Sequence, residues 1–197
     1  MPRPRATYQE VLDAPDGVVA QIIDGQLVLL PRPAKPHTLA ASALGAELFP
    51  PFHQGKRGPG GWIVLDEPEL HFGEDILVPD LAGWRRERMP VLSTDVPYFT
   101  LAPDWACEVL SPRTATLDRA GKLPIYAREK VGHMWLVDPE RRSLEVMRRE
   151  GDKWLLVGVW HDDARVRAEP FEAIELELTG LWADVEKRDE PAAAPGA

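Results

Sequence analysis

Apolar residues recur at every second position, or in short uninterrupted runs, through the middle of the chain, a pattern typical of β-strands. Earlier, Val18 to Leu30 is predicted to form a β-hairpin, because Asp24-Gly25 is a dipeptide that tight primed turns favour. The strands predicted after the hairpin are 62–65, 69–72, 76–84, 105–110, 134–137, 144–149 and 154–160. The last three of them are joined by short turns and form an antiparallel meander.

Helical spacing of apolar residues indicates three further segments. The first covers 7–13, with Thr7 as its N-cap, and the second covers 37–49, where apolar residues fall three and four positions apart. A third helical segment spans 117–130. Because Pro124 removes a backbone donor inside that segment, we expect it to kink or split the helix there, with consequences for any residue on the preceding turn.

The order of these elements predicts an α+β fold: helices in front, a sheet in the middle with one helix inserted, and a hairpin extension behind. The 197 residues are enough for one compact domain with its own core. We expect residues 1–6 to form a flexible arm, 7–186 a single domain, and 187–197 a disordered tail, since the tail is rich in proline, alanine and glycine.

Composition narrows the class of protein. An apolar share of 44% and a charged share of 28% are ordinary for a soluble domain. Cys107, the only cysteine, cannot form an internal disulfide, and no long apolar run follows the N-terminus, so a cytoplasmic protein without a membrane segment is expected. The net charge of −9 counts against a general nucleic-acid binder, although the acidic excess lies mostly in 161–190.

Two carboxylates interrupt apolar runs. Asp80 falls near the middle of the predicted strand 76–84, and Glu108 is the one charge within 105–110. Both strands are apolar on both faces, and burial of a lone carboxylate costs several kcal/mol. Three explanations are open: the acids lie at strand ends and reach water, each pairs with an arginine, or they converge on a divalent cation.

Several short motifs follow one another in a defined order. They are Pro79-Asp80, Glu108-Val109-Leu110-Ser111-Pro112, Lys122-Leu123 with Tyr126, and Trp135-Leu136-Val137-Asp138-Pro139. This series resembles the motifs of the Uma-two family of putative restriction endonucleases, a branch of the PD-(D/E)xK nuclease superfamily. The opening hairpin, the proline-rich turn after it and His37 are also similar to the family. The resemblance covers the chain from about residue 8 to about residue 182.

The resemblance implies a restriction-endonuclease-like core, with a central mixed sheet flanked by helices, an N-terminal hairpin and a C-terminal antiparallel meander. It also implies a metal-dependent endonuclease that hydrolyses DNA phosphodiester bonds. Asp80 and Glu108 would bind Mg²⁺ or Mn²⁺ together with the backbone carbonyl of Val109. The superfamily's lysine is expected two residues after the glutamate, where this chain has Leu110. In the family it is moved to the following helix, which matches Lys122, and a lysine there can orient water and offset phosphate charge.

Other residues have weaker claims to the site. A solvated surface charge, a helix-cap position or a charged turn explains most of them equally well. Lys122 itself is spaced i, i+4 from Asp118 and could form a surface ion pair. The additional candidates are Glu47, His37 and Tyr126, with Arg85, Arg86 and Arg113 as contacts for substrate phosphates.

Functions other than catalysis are also open. A catalytically inactive nuclease-fold protein, serving as a binding or assembly module, is favoured by the missing strand lysine, by Gly121 and Pro124 in the helix, and by the acidic charge. A β-rich small-molecule binding protein, with both acids in ion pairs, is a third reading. If the chain is a nuclease, DNA is its expected partner, and a homodimer is expected because duplex cleavage needs two active centres.

Overall fold

The computed structural model describes residues 4–186, so the predicted tail at 187–197 and the first three residues of the predicted arm lie outside the described residues. None of the helices between residues 4 and 186 has the length and apolar character needed to span a membrane. The elements are α1 (Tyr8–Leu12), β1 (Val18–Ile23), β2 (Gln26–Pro31), α2 (Lys35–Leu48), β3 (Trp62–Asp66), β4 (Leu70–Phe72), β5 (Asp75–Leu77), β6 (Leu81–Arg85), β7 (Trp105–Val109), α3 (Leu123–Arg128), β8 (His133–Asp138), β9 (Ser143–Glu150), β10 (Lys153–His161), β11 (Arg165–Val166) and β12 (Leu176–Glu177).

The fold is α+β, as the sequence predicts, and a mixed six-stranded sheet forms its centre. The strand order in this sheet is β10-β9-β8-β7-β6-β3. β7 and β8 run parallel and pair Glu108 with Leu136, whereas the other neighbours are antiparallel. A parallel pair needs a long crossover, and the segment that contains α3 provides it. β7 therefore lies inside the sheet, covered on both faces.

The N-terminal hairpin belongs to a second sheet of four antiparallel strands, in the order β2-β1-β5-β4. Side chains of β7 alternate between two apolar clusters, one on each face of the large sheet. Cys107 packs with α2 and the C-terminal segment, while Ala106 and Leu110 pack with α3 and the small sheet. Cys107 therefore faces away from the side on which Glu108 lies.

The prediction of a single strand over 76–84 is wrong. The chain leaves the small sheet after β5 and enters the large sheet at β6, with Val78-Pro79-Asp80 between them. The Val78 N–H donates to the side chain of Gln21 at 2.9 Å, and Pro79 has no N–H to give to a strand partner. Asp80 consequently precedes a strand and does not lie within one. Its side chain remains 14% exposed.

The helical segment predicted over 117–130 is divided, as Pro124 led us to expect. A π-helical turn covers Leu117–Lys122, and α3 follows directly. Pro124 is the second residue of α3, directly after the π-helical turn. Lys122, the last residue of that turn, is directed into the protein, since it is only 3% exposed.

Candidate active site

Glu108 is a buried carboxylate in the interior strand β7, with 2% of its surface exposed. The Lys122 ammonium lies 2.9 Å from Oε2, and the Tyr126 hydroxyl donates to Oε1 at 2.6 Å. These two residues are four positions apart on the segment that crosses from β7 to β8, so one helical face presents both to the carboxylate. Each oxygen of Glu108 thus has its own donor.

Asp118 completes the buried group. Its spacing from Lys122 in the sequence also allowed an ion pair at the surface, but the structure buries both side chains. Its Oδ1 lies 3.0 Å from the Lys122 ammonium, and its side chain is 2% exposed. The angle at this contact does not meet hydrogen-bond geometry, so Oδ1 has no hydrogen-bond partner among the described residues and the contact is an ion pair. Lys122 therefore lies between two buried carboxylates.

Burial and neighbouring charges both shift the pKa values in this group. Burial raises the pKa of Glu108, against the lowering effect of Lys122 and in the same direction as the charges of Asp118 and Asp80. Burial lowers the pKa of Lys122, but the charges of Glu108 and Asp118 outweigh it, so this pKa is raised and the ammonium keeps its proton. Burial, followed by the charge of Glu108, also raises the pKa of Tyr126, which stays a donor.

Asp80 is fixed close to Glu108 by the backbone of β7. Its Oδ2 accepts the Val109 N–H at 2.6 Å, and its Oδ1 lies 3.1 Å from Nε2 of His37 in the first turn of α2. The other ring nitrogen of His37, Nδ1, is buried without a hydrogen-bond partner among the described residues. Three elements therefore meet at Asp80: the start of β6, the end of β7 and the start of α2.

Both carboxylates line one cavity of about 440 Å³, together with Val109, Asp118 and Lys122. The acids therefore converge on a common space, as a shared ligand requires. Within residues 4–186 neither acid is paired with an arginine, and Glu108 is buried from water; the counter-charge of Glu108 is the ammonium of Lys122.

The donor atoms at this cavity are of the kind that Mg²⁺ and Mn²⁺ bind: carboxylate oxygens of Asp80 and Glu108, with Val109 beside them. Among the residues described, no three His, Cys, Asp or Glu side chains are grouped to hold a metal ion. Magnesium commonly binds to one or two carboxylates and keeps several waters, so two carboxylates fit that ion by donor type. Lys122 and Tyr126 hold the oxygens of Glu108, and they would have to share them with an ion.

The structure separates the remaining candidates into two sets. His37, Tyr126 and Arg113 lie at the cavity or touch its carboxylates. Glu47 is exposed on α2 and is not part of the cavity wall. Arg85 ends β6, at the opposite end of the strand from Asp80, and Arg86 follows it; the Arg85 guanidinium stacks 4.5 Å from the centre of the Trp62 ring.

Sequence reasoning passed over Arg32, which lines the cavity beside the proline-rich turn that precedes α2. Arg32 stands between Pro31 and Pro33, five residues before His37. Two prolines restrict the backbone on either side of this arginine. The sequence signal that could have identified Arg32 is its position between two prolines, close to the candidate site residue His37.

Comparison with known proteins gives a family and a fold. The sequence model of the Uma2 family, described as "Putative restriction endonuclease", matches residues 6–181. A crystal structure of a putative nuclease from Anabaena variabilis is similar, with a TM-score of 0.72 and 22% identity over 90% of this chain and 98% of that one. No curated protein matches the chain. The structural likeness shows a shared fold, and the sequence match shows that this chain belongs to the Uma2 family of putative restriction endonucleases.

Proposed function

We propose that this chain is a metal-dependent endonuclease that hydrolyses DNA phosphodiester bonds in the cavity lined by Asp80 and Glu108. The observation that carries the proposal is the contact between Lys122 and Glu108, 2.9 Å long and buried at the wall of that cavity. The strand position two residues after Glu108 holds Leu110, yet a lysine from the following helical segment reaches the same carboxylate. In the proposed reaction, the two acids bind the metal ion and the lysine lies next to the reacting phosphate.

Mg²⁺ or Mn²⁺ is the cofactor that the donor set favours, with Asp80, Glu108 and the Val109 carbonyl as its ligands. A bound ion of this kind polarises a phosphoryl oxygen and makes a coordinated water more acidic. The chain contributes the framework. The Val109 N–H and His37 orient Asp80, and the Tyr126 hydroxyl orients Glu108.

Lys122 has two roles in this proposal. Its raised pKa keeps it cationic at neutral pH, so it offsets negative charge that develops on the phosphate. It can also donate a hydrogen bond that orients the attacking water. Asp118, on the preceding helical turn, holds the ammonium from the other side and so acts as a positioning residue.

Plasmid cleavage with and without Mg²⁺ tests the proposal. Asp80→Asn and Glu108→Gln keep the shape of the side chains and remove their charge, so both should lose Mg²⁺-dependent cleavage. Glu87→Gln is the matched control, because Glu87 is an exposed acid beyond the far end of β6. Circular dichroism of each variant checks that it is folded. Undiminished cleavage by folded Asp80→Asn and Glu108→Gln would end the assignment.

An inactive module of the same fold is the second candidate. Two observations favour it. Both oxygens of Glu108 already have hydrogen-bond donors within the protein. In addition, the described residues hold no cluster of three metal-ligating side chains. Titration calorimetry with Mg²⁺ and Mn²⁺ separates the two candidates. Binding that disappears in Glu108→Gln supports the nuclease, whereas no binding to the wild-type protein supports the module.

A further inference from the structure

The depth of the cavity restricts the form of DNA that can reach the carboxylates. Glu108 is 2% exposed, and the side chain of Asp80 is 14% exposed. About half of the wall comes from three segments: 31–37, which joins β2 to the start of α2, and the two turns 111–114 and 139–140. A phosphate that meets both acids must therefore enter between these segments.

We infer that the DNA strand held in this cavity is unpaired: a single strand, an overhang or a flap. The inference rests on the proposed nuclease function and adds the class of its substrate. The cavity of about 440 Å³ is within the range, roughly 300–1,000 Å³, that encloses one small molecule. It accommodates a unit the size of a nucleotide, but a duplex brings a second strand that cannot follow.

The apolar walls of the cavity suit an exposed nucleobase. Aliphatic side chains and prolines from the small sheet and from three connecting segments contribute to them: Val19, Leu30, Pro33, Val78, Leu110 and Pro112. In a duplex the faces of the bases are covered by their stacked neighbours, so such a surface gains nothing from contact with them. A base released from the stack can pack against apolar side chains, as in enzymes that enclose a flipped base.

The charges around the cavity also favour a strand with few phosphates. Two exposed arginines, Arg32 and Arg113, line the cavity together with the buried Lys122. Duplex-binding proteins neutralise many phosphates along both backbones, and a chain with a net charge of −9 does not offer such a surface here. Acidic residues of the cavity wall outnumber these three cations: Glu67, Asp80, Glu108, Asp118 and Glu140.

Binding without metal tests the inference independently of catalysis. A fluorescein-labelled oligonucleotide, single-stranded or annealed to its complement, is titrated with the full chain in EDTA, and fluorescence anisotropy is measured. The single strand should bind at least about tenfold more tightly, which is comparable to what the stacking of one base contributes in single-strand binders. Arg32→Gln and Arg113→Gln should each weaken single-strand binding several-fold. Arg57→Gln is the control, because Arg57 is exposed and is not part of the cavity wall.

Cleavage of the same oligonucleotides in Mg²⁺ separates failure of the inference from failure of the proposed function. Faster cleavage of the single strand supports both. Single-strand binding in EDTA with no cleavage of either substrate contradicts the nuclease and leaves the preference for an unpaired strand supported. Equal or tighter duplex binding, failure of both forms to bind, or faster cleavage of the duplex overturns the inference.

Discussion

Replacement of Lys122 by methionine is the sharpest test of the buried charge group. Lys122, Glu108 and Asp118 are each 2–3% exposed, and Lys122 is the cation between the two acids. Methionine keeps most of the length of the side chain and its apolar character, but it leaves two carboxylates without their counter-charge. Removal of one partner from a buried ion pair costs about 3–5 kcal/mol. We expect a decrease of that size in the free energy of unfolding.

Urea denaturation at pH 7, followed by tryptophan fluorescence, measures this decrease as a lower transition midpoint at an unchanged slope. Lys153→Met is the control, since Lys153 is exposed at the start of β10 and its replacement should stay within about 0.5 kcal/mol of the wild type. Glu108→Gln in combination with Lys122→Met removes one of the two uncompensated carboxylates. The double variant should therefore be more stable than the sum of the two single effects predicts.

Two results would refute this reasoning. If Lys122→Met lowers the free energy of unfolding by less than about 1 kcal/mol, the ammonium is not buried between the acids as the structure describes it. If the effects of Lys122→Met and Glu108→Gln are additive, the two side chains do not interact in the folded state, because a coupling energy is expected of residues in contact.

Three further substitutions test the packing around the site and at the opposite end of the sheet. Tyr126→Phe removes the donor to a buried oxygen of Glu108 and should destabilise the protein by about 1–3 kcal/mol in urea denaturation. Gly45→Ala, within α2, should stabilise it by about 0.5–1 kcal/mol, since an added Cβ meets its nearest atoms at 3.4 Å; a loss would contradict the packing described. Gly58→Ala should lower the melting temperature, because its Cβ would lie 2.4 Å from a carbon of Pro51, and an unchanged value would contradict that contact.

The sequence predicted the meander and the strand that holds Glu108 well, for physical reasons. β8, β9 and β10 are separated by turns with strong local signals, and each observed strand extends its predicted range by one residue at each end. β7 is a short apolar run that a single charge interrupts, and such a run is most stable inside a sheet. The motifs around Asp80 and Glu108 are short and local, so they can be read directly from the sequence. Their order along the chain is what indicated the family.

Tertiary contacts decided what the sequence did not show. Residues 76–84 form a continuous apolar pattern, which predicts one strand. In the structure, however, the side-chain amide oxygen of Gln21 in β1 accepts the hydrogen bond from the Val78 N–H, and the chain passes from the small sheet to the large sheet between β5 and β6. The spacing of Asp118 and Lys122 places them on one helical face and gives no information about what covers that face. β11 and β12, two residues each, are too short for periodicity to detect.

The packing of β7 explains why an apolar residue stands two positions after Glu108. Leu110 extends the face of this strand that carries Glu108, and it lies in the apolar cluster that α3 and the small sheet cover. A lysine at that position would have to bring an ammonium into this cluster, at a cost that only a close carboxylate offsets. Lys122 approaches from the helical turn above the strand, where Glu108 and Asp118 both contact its ammonium. The chain therefore has Leu110 as part of its core, and a lysine reaches Glu108 from a different element.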